Sequence, residues 1–483
     1  MQKENLDKHL SDKLYELFGR DLYAALESSA DALGQELRVV GGTVRDLILD
    51  RPTSDFDFVT EGSGLLLAEQ LKEKLGKRAR VTLFRNFGTA QVKYRGLELE
   101  FVGARRESYR ADSRKPVVEE GSFADDEKRR DFTINALSIT LNGSGKGTLH
   151  DPFGGLEDLE RGLIRTPLDP DVTFSDDPLR MMRAVRFAAQ LGFSVPEEIK
   201  EAIRRNSDRL KIVSMERVTT EFLKIMDSRK PSVGLGLMQE TGLMPLYLPE
   251  ISALMGAETR DGIGHKNNFY HTITVVDQLS DRSDKEELRL AALFHDVGKP
   301  IVKKFTPGAG WSFYNHDFVG MKMLPKIFRR VKLPLDERLK YVQKLVRLHM
   351  RPAQLADEGV TDSAVRRLLF EAGDDIDDLM TLCESDLTSK NPDKVRKYLD
   401  NFALVREKLK EIEEKDRIRN FQPPVKGEEI MATYGLEPRR EVGLIKEAIK
   451  DAILDGIIPN DHEAAYDFMV DFARKNYGLE PLV

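Results

Sequence analysis

The chain has 483 residues and a mass of 54.9 kDa, with 40% apolar and 33% charged residues. That length suggests about three domains, and the apolar fraction excludes wholesale disorder. Lys and Arg total 75 against 82 Asp and Glu, a formal net charge of −7, so any nucleic-acid contact must use a local basic patch. The single cysteine, Cys383, excludes an intrachain disulfide and a thiolate zinc cage and fits a reducing compartment. No apolar run approaches the ~18 residues of a membrane span, and the charged stretch Met1–Arg20 has no signal-peptide core. The expectation is a soluble, cytoplasmic, multidomain protein with no membrane contact.

Residues 1–35 carry Leu14, Leu17, Phe18, Leu22, Ala25 and Leu26 at helical spacing. A β-type stretch, Leu37–Val40, runs into Gly41-Gly42, and a short helix follows over Val44–Leu49. Asp55–Val59 alternates polar and apolar residues, which predicts a half-buried strand with Asp55 and Asp57 on one face. Further strands are expected at Arg80–Phe84, Thr89–Tyr94 and Leu97–Val102. From about Asp176 helical periodicity dominates, beginning with Pro178–Leu191, and a charged helix is expected over Val395–Arg417. Prolines punctuate junctions near 168, 250 and 390. The predicted fold is therefore an α/β head with a small mixed sheet (1–168), an all-α neck (169–250), a helical domain (251–390) and a helical tail (391–483).

A glycine pair between a strand and a helix lets main-chain amides approach a phosphate. Here Arg45-Asp46 follows the pair at once, and Asp55-Phe56-Asp57 comes shortly after. Two carboxylates side by side repel, so the strand fold alone does not favour them. A divalent cation relieves that repulsion, and Mg²⁺ takes carboxylate and phosphate oxygens. A third strand carboxylate, Glu98 or Glu100, completes what a two-metal phosphoryl-transfer site needs. A solvated strand face is the plainer reading of Asp-x-Asp by itself.

Four stretches, in order, resemble the class II tRNA nucleotidyltransferase (CCA-adding) and bacterial poly(A) polymerase family. They are Val39–Asp46, Asp55–Asp57, Arg129–Ala136 (Arg-Arg-Asp-Phe-Thr-Ile-Asn-Ala) and Asp176–Phe187 (Asp-Asp-Pro-Leu-Arg-Met-Met-Arg-Ala-Val-Arg-Phe). The resemblance implies that Asp55 and Asp57 are catalytic and hold Mg²⁺, and Glu100 is the third catalytic candidate. It implies that Gly41, Gly42, Arg45, Arg130, Asp131, Asn135 and Arg183 bind the nucleotide. Asp177 and Arg180 would read the base, and Asp176 stands where the family usually has Glu. Arg105 and Arg186 are candidate RNA contacts. For Asp176–Arg180 a helix-surface ion pair is the plainer reading, and for Arg186 a solvated helix face is. The reading pair makes chemical sense: cytosine and adenine both show an amino donor beside a ring-nitrogen acceptor, which suits a carboxylate and a guanidinium together. Uracil and guanine show the reverse polarity.

A second constellation comprises His271, the doublet His295-Asp296 at the end of an apolar helix, His316, His349 and Asp386. Imidazoles and carboxylates suit Mn, Fe, Ni, Zn or Mg. The pattern, with His295-Asp296-Val297-Gly298-Lys299 as its core, resembles the HD phosphohydrolase superfamily over about 265–390. It implies a metal-binding helical domain with or without hydrolytic activity. Gly264–Asn268 could be a metal-adjacent loop or a turn, and Trp311 is expected in a hairpin or loop.

The expected function is addition of CCA to the 3′ end of tRNA from CTP and ATP. The alternatives are a poly(A) polymerase, a CC- or A-only adding enzyme, and an HD-type phosphohydrolase with an RNA-binding N-terminal module. The segment 103–128 is the candidate for a loop that governs the switch from C to A. Lys390, Lys394, Arg396, Lys397 and Arg406 are candidate phosphate contacts in the tail.

Overall fold

The computed structural model describes residues 3–482 apart from 111, 112, 359, 360, 390, 417 and 420. Lys390 and Arg417, named above, therefore lie outside the described residues. Contacts divide the chain into two compact units, Met1–Ile225 with Val233–Leu246, and Met226–Ser232 with Tyr247–Val483. The expected junctions near 168 and 390 fall inside these units, and the one near 250 falls close to the change at Leu246.

The first unit opens with helix α1 (Lys3–Ala32), bent at Gly19. Strand β1 (Leu37–Val40), helix α2 (Gly42–Ile48), β2 (Asp55–Thr60), α3 (Gly64–Leu75), β3 (Ala79–Phe84), β4 (Thr89–Tyr94) and β5 (Leu97–Gly103) follow. After them come β6 (Arg105–Arg110), β7 (Ser113–Glu120), α4 (Phe123–Lys128), β8 (Ser138–Thr140) and β9 (Leu149–His150). Seven strands form one sheet in the order β3-β4-β5-β2-β1-β8-β9, with β2 and β5 parallel and the other neighbours antiparallel.

Strand β2 shows why the site forms where it does. Its alternation buries Phe56 and Phe58 and turns Asp55 and Asp57 outward. Phe58 stacks on Phe101 of β5 at 4.8 Å, and Phe56 meets Phe18 of α1 edge-on at 5.0 Å. This packing fixes the register, because a one-residue slip would drive the carboxylates into the core. The same register sets Asp55 opposite Glu98 and Asp57 opposite Glu100 on the parallel neighbour.

The segment 103–128, expected to be a loop, is mostly ordered backbone: β6 and β7 pair antiparallel, and α4 follows behind a Ser122–Asp125 capping box. Farther on come α5 (Gly155–Arg161), α6 (Pro170–Asp176) and α7 (Leu179–Leu191), and the last motif runs from the end of α6 into α7. The Asp169 carboxylate accepts from the Asp171 and Val172 N–H groups to start α6, with Pro170 in its first turn. Helix α7 buries Met181, Met182, Ala184, Val185 and Ala188, and stops at Gly192 in the left-handed conformation.

In the second unit, helices Asn268–Ser280, Glu286–Phe294, His316–Arg330, Glu337–Leu348 and Ile376–Ser385 pack around Val276, Leu293, Leu324, Val346 and Leu379. Trp311 lies in a two-stranded hairpin (Lys304–Thr306 with Gly310–Ser312), and Ile263–Gly264 belongs to another. The charged helix spans Pro392–Asp416 and packs within the same unit. Among the described residues no helix is long and apolar enough to cross a membrane.

Candidate active site

A cavity of about 520 Å³ in the first unit gathers residues from the first three motifs and Arg183 and Arg186 from the fourth. Its lining includes Gly41, Gly42, Arg45, Asp55, Asp57, Glu100, Arg130, Asp131, Asn135, Arg183 and Arg186. One wall is acidic. Asp57 is pushed above the usual carboxylate range by burial and by Asp55, against the pull of Arg130. Glu100 is likewise raised by burial and by Asp57. Glu98 lines the wall as well, but it already pairs with Lys93 and accepts from Gln91 at 3.0 Å. The raised Asp57 and Glu100 carboxyls mark a crowding of negative charge on the wall they share with Asp55, which a divalent cation would relieve.

The facing wall is basic and fully braced. Asp46 grips Arg45 with two bonds of 2.9 and 2.8 Å, and Arg45 Nη1 donates to Asn135 Oδ1 at 2.8 Å. Asn135 Nδ2 donates to Asp131 Oδ1 at 3.0 Å, and Arg183 Nε donates to Asp131 Oδ2 at 2.6 Å. Burial alone would raise the Asp131 carboxyl, yet Arg183, the Asn135 amide and Arg180 hold it down at about 2. Phe187 sits among three guanidiniums, those of Arg186, Arg45 and Arg183, at 4.0, 4.9 and 5.3 Å from its ring centre. Gly41 has φ 72°, and a Cβ there would lie 2.9 Å from Arg130 Nη1. The glycine is thus required both by its conformation and by the close pass of Arg130.

Three expected residues sit elsewhere. Arg180 is 9% exposed and donates to the Arg129 carbonyl, bordering a second cavity of about 220 Å³ with Asp176, Arg106 and Lys128. Asp177 accepts from the Leu179 N–H at the start of α7 and does not line the larger cavity. Arg105 lines a separate hollow beside Gly62–Gly64. Arg186, expected to meet RNA, is only 8% exposed and pairs with Glu221 at 2.5 Å, so within the cavity wall it is already engaged. Arg406 is likewise committed, to Glu384 at 2.6 Å. Sequence reading missed Asp126, Phe187, Glu221 and Lys224. Only Phe187, inside a recognised motif, carried a local signal.

The second unit brings all six of its candidate ligands together. His271, His295 and Asp386 form one group and Asp296, His316 and His349 another. The Nδ1 atoms of His295, His316 and His349 lie 2.7, 2.8 and 2.7 Å from the carbonyls of Ala292, Phe313 and Val346. A carbonyl only accepts, so each Nδ1 carries a proton and Nε2 is the nitrogen left to face the other ligands. The Nε2 atoms of His316 and His349 are 3.2 Å apart, and two lone pairs at that distance need a cation or a proton between them. His295 Nε2 is buried and makes no well-aligned hydrogen bond, but two carboxylates approach it, Asp296 Oδ2 at 3.3 Å and Asp386 Oδ1 at 3.5 Å. The donor set therefore fits metal ions. Asp296 joins the groups, with Oδ2 3.3 Å from His295 and Oδ1 3.3 Å from His316, and Lys299 holds Oδ2 at 2.5 Å. A Cβ on Gly298 would strike the His316 carbonyl at 2.2 Å, which is why the turn after Asp296 is glycine.

Comparison with known proteins agrees with this geometry. Residues 37–165 match the poly A polymerase head domain, 192–255 the probable RNA and SrmB-binding site of polymerase A, and 268–378 the HD domain. The chain is 32% identical over 434 residues to a CC-adding tRNA nucleotidyltransferase of Thermus thermophilus, covering 88% of this chain and 91% of that one. It is 32% identical to an A-adding tRNA nucleotidyltransferase of Deinococcus radiodurans, over 71% of this chain and 78% of that one. A CCA-adding enzyme of Geobacillus is 38% identical over 51% of this chain, which spans 61% of that relative's length. The fold matches the Bacillus stearothermophilus CCA-adding enzyme in complex with CTP, with a TM-score of 0.64 at 24% identity over 95% of this chain and 98% of that one. With relatives at this identity along most of its length, the chain belongs to the tRNA nucleotidyltransferase and poly(A) polymerase family, in a form that carries an HD domain.

Proposed function

We propose that this chain adds C, C and A to the 3′ end of tRNA from CTP and ATP without a nucleic-acid template, in the cytoplasm. The observation that carries the reading is the single cavity that sets the Asp55–Asp57–Glu100 wall against the Arg45–Asn135–Asp131–Arg183 relay. The 3′ oxygen of the RNA bonds to the α-phosphorus while the bond to the bridging oxygen breaks and pyrophosphate leaves. Asp55, Asp57 and Glu100 would hold Mg²⁺, which when bound would lower the pKa of the attacking hydroxyl and neutralise the leaving group. The Gly41-Gly42 turn admits the triphosphate close to the main chain. Arg130 and Arg183 offer it fixed donors, held before the substrate arrives by Asp126 and Asp131. Asp177 and Arg180 read the base. To do so, Arg180 exchanges its bond to the Arg129 carbonyl for one to the ring nitrogen.

Partial addition is the second reading, because the relatives matched over most of their length are a CC-adding and an A-adding enzyme. In the HD domain, His271, His295 and Asp386, with Asp296, His316 and His349, would hold Mn, Fe, Ni, Zn or Mg. The test offers single nucleoside triphosphates and pairs, with Mg²⁺, to tRNA transcripts ending before CCA, after C and after CC. Ordered addition of C, C and A, with UTP and GTP refused, is expected. Arrest after CC, or A on a CC end alone, would establish the partial reading. An unlimited A tail would mean a poly(A) polymerase, and no incorporation would leave the HD metals as the active unit.

A further inference from the structure

We infer that Asp126 is a positioning residue that couples nucleotide grip to base choice. This rests on the transferase reading above. Asp126 lies in α4, is 2% exposed, and touches neither cavity. Its Oδ2 accepts from Arg130 Nε and Nη2 at 3.1 and 2.8 Å, and its Oδ1 pairs with Arg129. A buried carboxylate is tolerated only when paired this fully, and a two-pronged bond also fixes the orientation of the guanidinium.

Each arginine then serves a different end of the incoming nucleotide. Arg130 reaches under the Gly41 turn, donating Nη1 to the Asn135 carbonyl at 3.3 Å, and lines the acidic cavity. Arg129 contributes its main chain, because its carbonyl is what Arg180 Nη2 donates to. The carboxylate of Asp126 thus holds a turn whose side chain faces the phosphates and whose backbone parks the base-reading arginine. When Asp126 loses its grip, both move. The neighbouring Glu127 is buried on the same helix but serves the sheet, pairing with Arg38 at 3.3 Å and accepting from Ser138 at 3.2 Å. It is the natural control for a merely structural effect.

The experiment uses the full chain with Mg²⁺ and a tRNA transcript lacking CCA. Asp126→Asn, Asp126→Glu and Glu127→Gln are compared for folding by circular dichroism, for KM and kcat with CTP and with ATP, and for the ratio of UTP to CTP incorporation. Asp126→Asn is expected to raise KM for both nucleotides about tenfold, the size of one lost charge-assisted bond. The UTP to CTP ratio should rise at least about fivefold, because a misplaced Arg180 discriminates less between acceptor and donor edges. Asp126→Glu, which keeps the charge but moves it by one methylene, should shift the ratio in the same direction, and it carries the test alone where the Asn variant does not fold. Glu127→Gln should leave the ratio unchanged. A folded Asp126 variant that keeps parental selectivity, or a Glu127→Gln ratio that shifts equally, overturns the inference. Should Asp55→Ala still add nucleotides, the transferase reading fails instead, which is a separate outcome.

Discussion

Replacing Asp131 by Asn tests the basic wall through its titration. The carboxyl is held at about 2 instead of its ordinary 3.8. A folded-state value below the unfolded one contributes stability that is present above pH ~4 and lost as the pH falls through about 2. At 1.36 kcal/mol for each pH unit, the contribution is about 2 kcal/mol at neutral pH, and about 1 kcal/mol of it is gone by pH 3. Asn matches the shape of Asp but cannot charge, so the variant should be less stable than the parent by at least about 2 kcal/mol at pH 7. That gap should narrow by about 1 kcal/mol at pH 3. Urea unfolding followed by far-ultraviolet circular dichroism at both pH values measures the difference. The only tryptophan, Trp311, lies in the other unit, so its fluorescence follows that unit's transition separately. An Asn variant whose deficit is the same at pH 7 and pH 3 would refute the assignment of Asp131 as the charged centre of the relay.

Other expectations follow from particular contacts. Gly41→Ala forces a side chain into a conformation reserved for glycine and against Arg130, so a loss of about 1–3 kcal/mol in stability and a raised nucleotide KM are expected from melting and steady-state rates. Glu100→Gln should reduce nucleotide addition at least about a hundredfold, whereas Glu98→Gln, whose partner is already Lys93, should cost less than about tenfold in the same primer-extension assay. His316→Ala should lower the metal content of the purified protein, read by elemental analysis, while leaving nucleotide addition at the parental rate.

Much of the site was legible because its chemistry is carried by neighbours in sequence. The alternation around Phe56 and Phe58 showed that Asp55 and Asp57 share a face, and strands β3 to β5 were visible from the same periodicity. The hairpin β6–β7 was not, because its Arg-, Glu- and Ser-rich residues lack apolar alternation and Pro116 argues against a strand. The short β8, only three residues long, follows closely on a motif read for its chemistry and was not expected. Long-range pairing was the other gap. Arg186 sits on a helix whose spacing suggests an exposed basic stripe, and only the fold brings Glu221 to it. Likewise, histidine order suggested the HD ligands, but the carbonyl bonds that aim each Nε2 inward depend on where helices end.

The ring of Phe187 allows something that point charges alone would forbid. By lending its electron-rich faces to Arg45, Arg183 and Arg186, it lets three guanidiniums crowd together, each also balanced by a carboxylate, that of Asp46, Asp131 or Glu221. The cleft is therefore lined by paired charges together with the carboxylates of Asp55, Asp57 and Glu100, on a protein that is acidic as a whole. A polyanion is therefore placed by a few N–H donors held in fixed positions, against a net negative charge, rather than by bulk attraction. Raising the salt concentration should weaken the few local contacts and the general repulsion together. Substrate capture should then fall less steeply with ionic strength than for a uniformly basic RNA-binding protein.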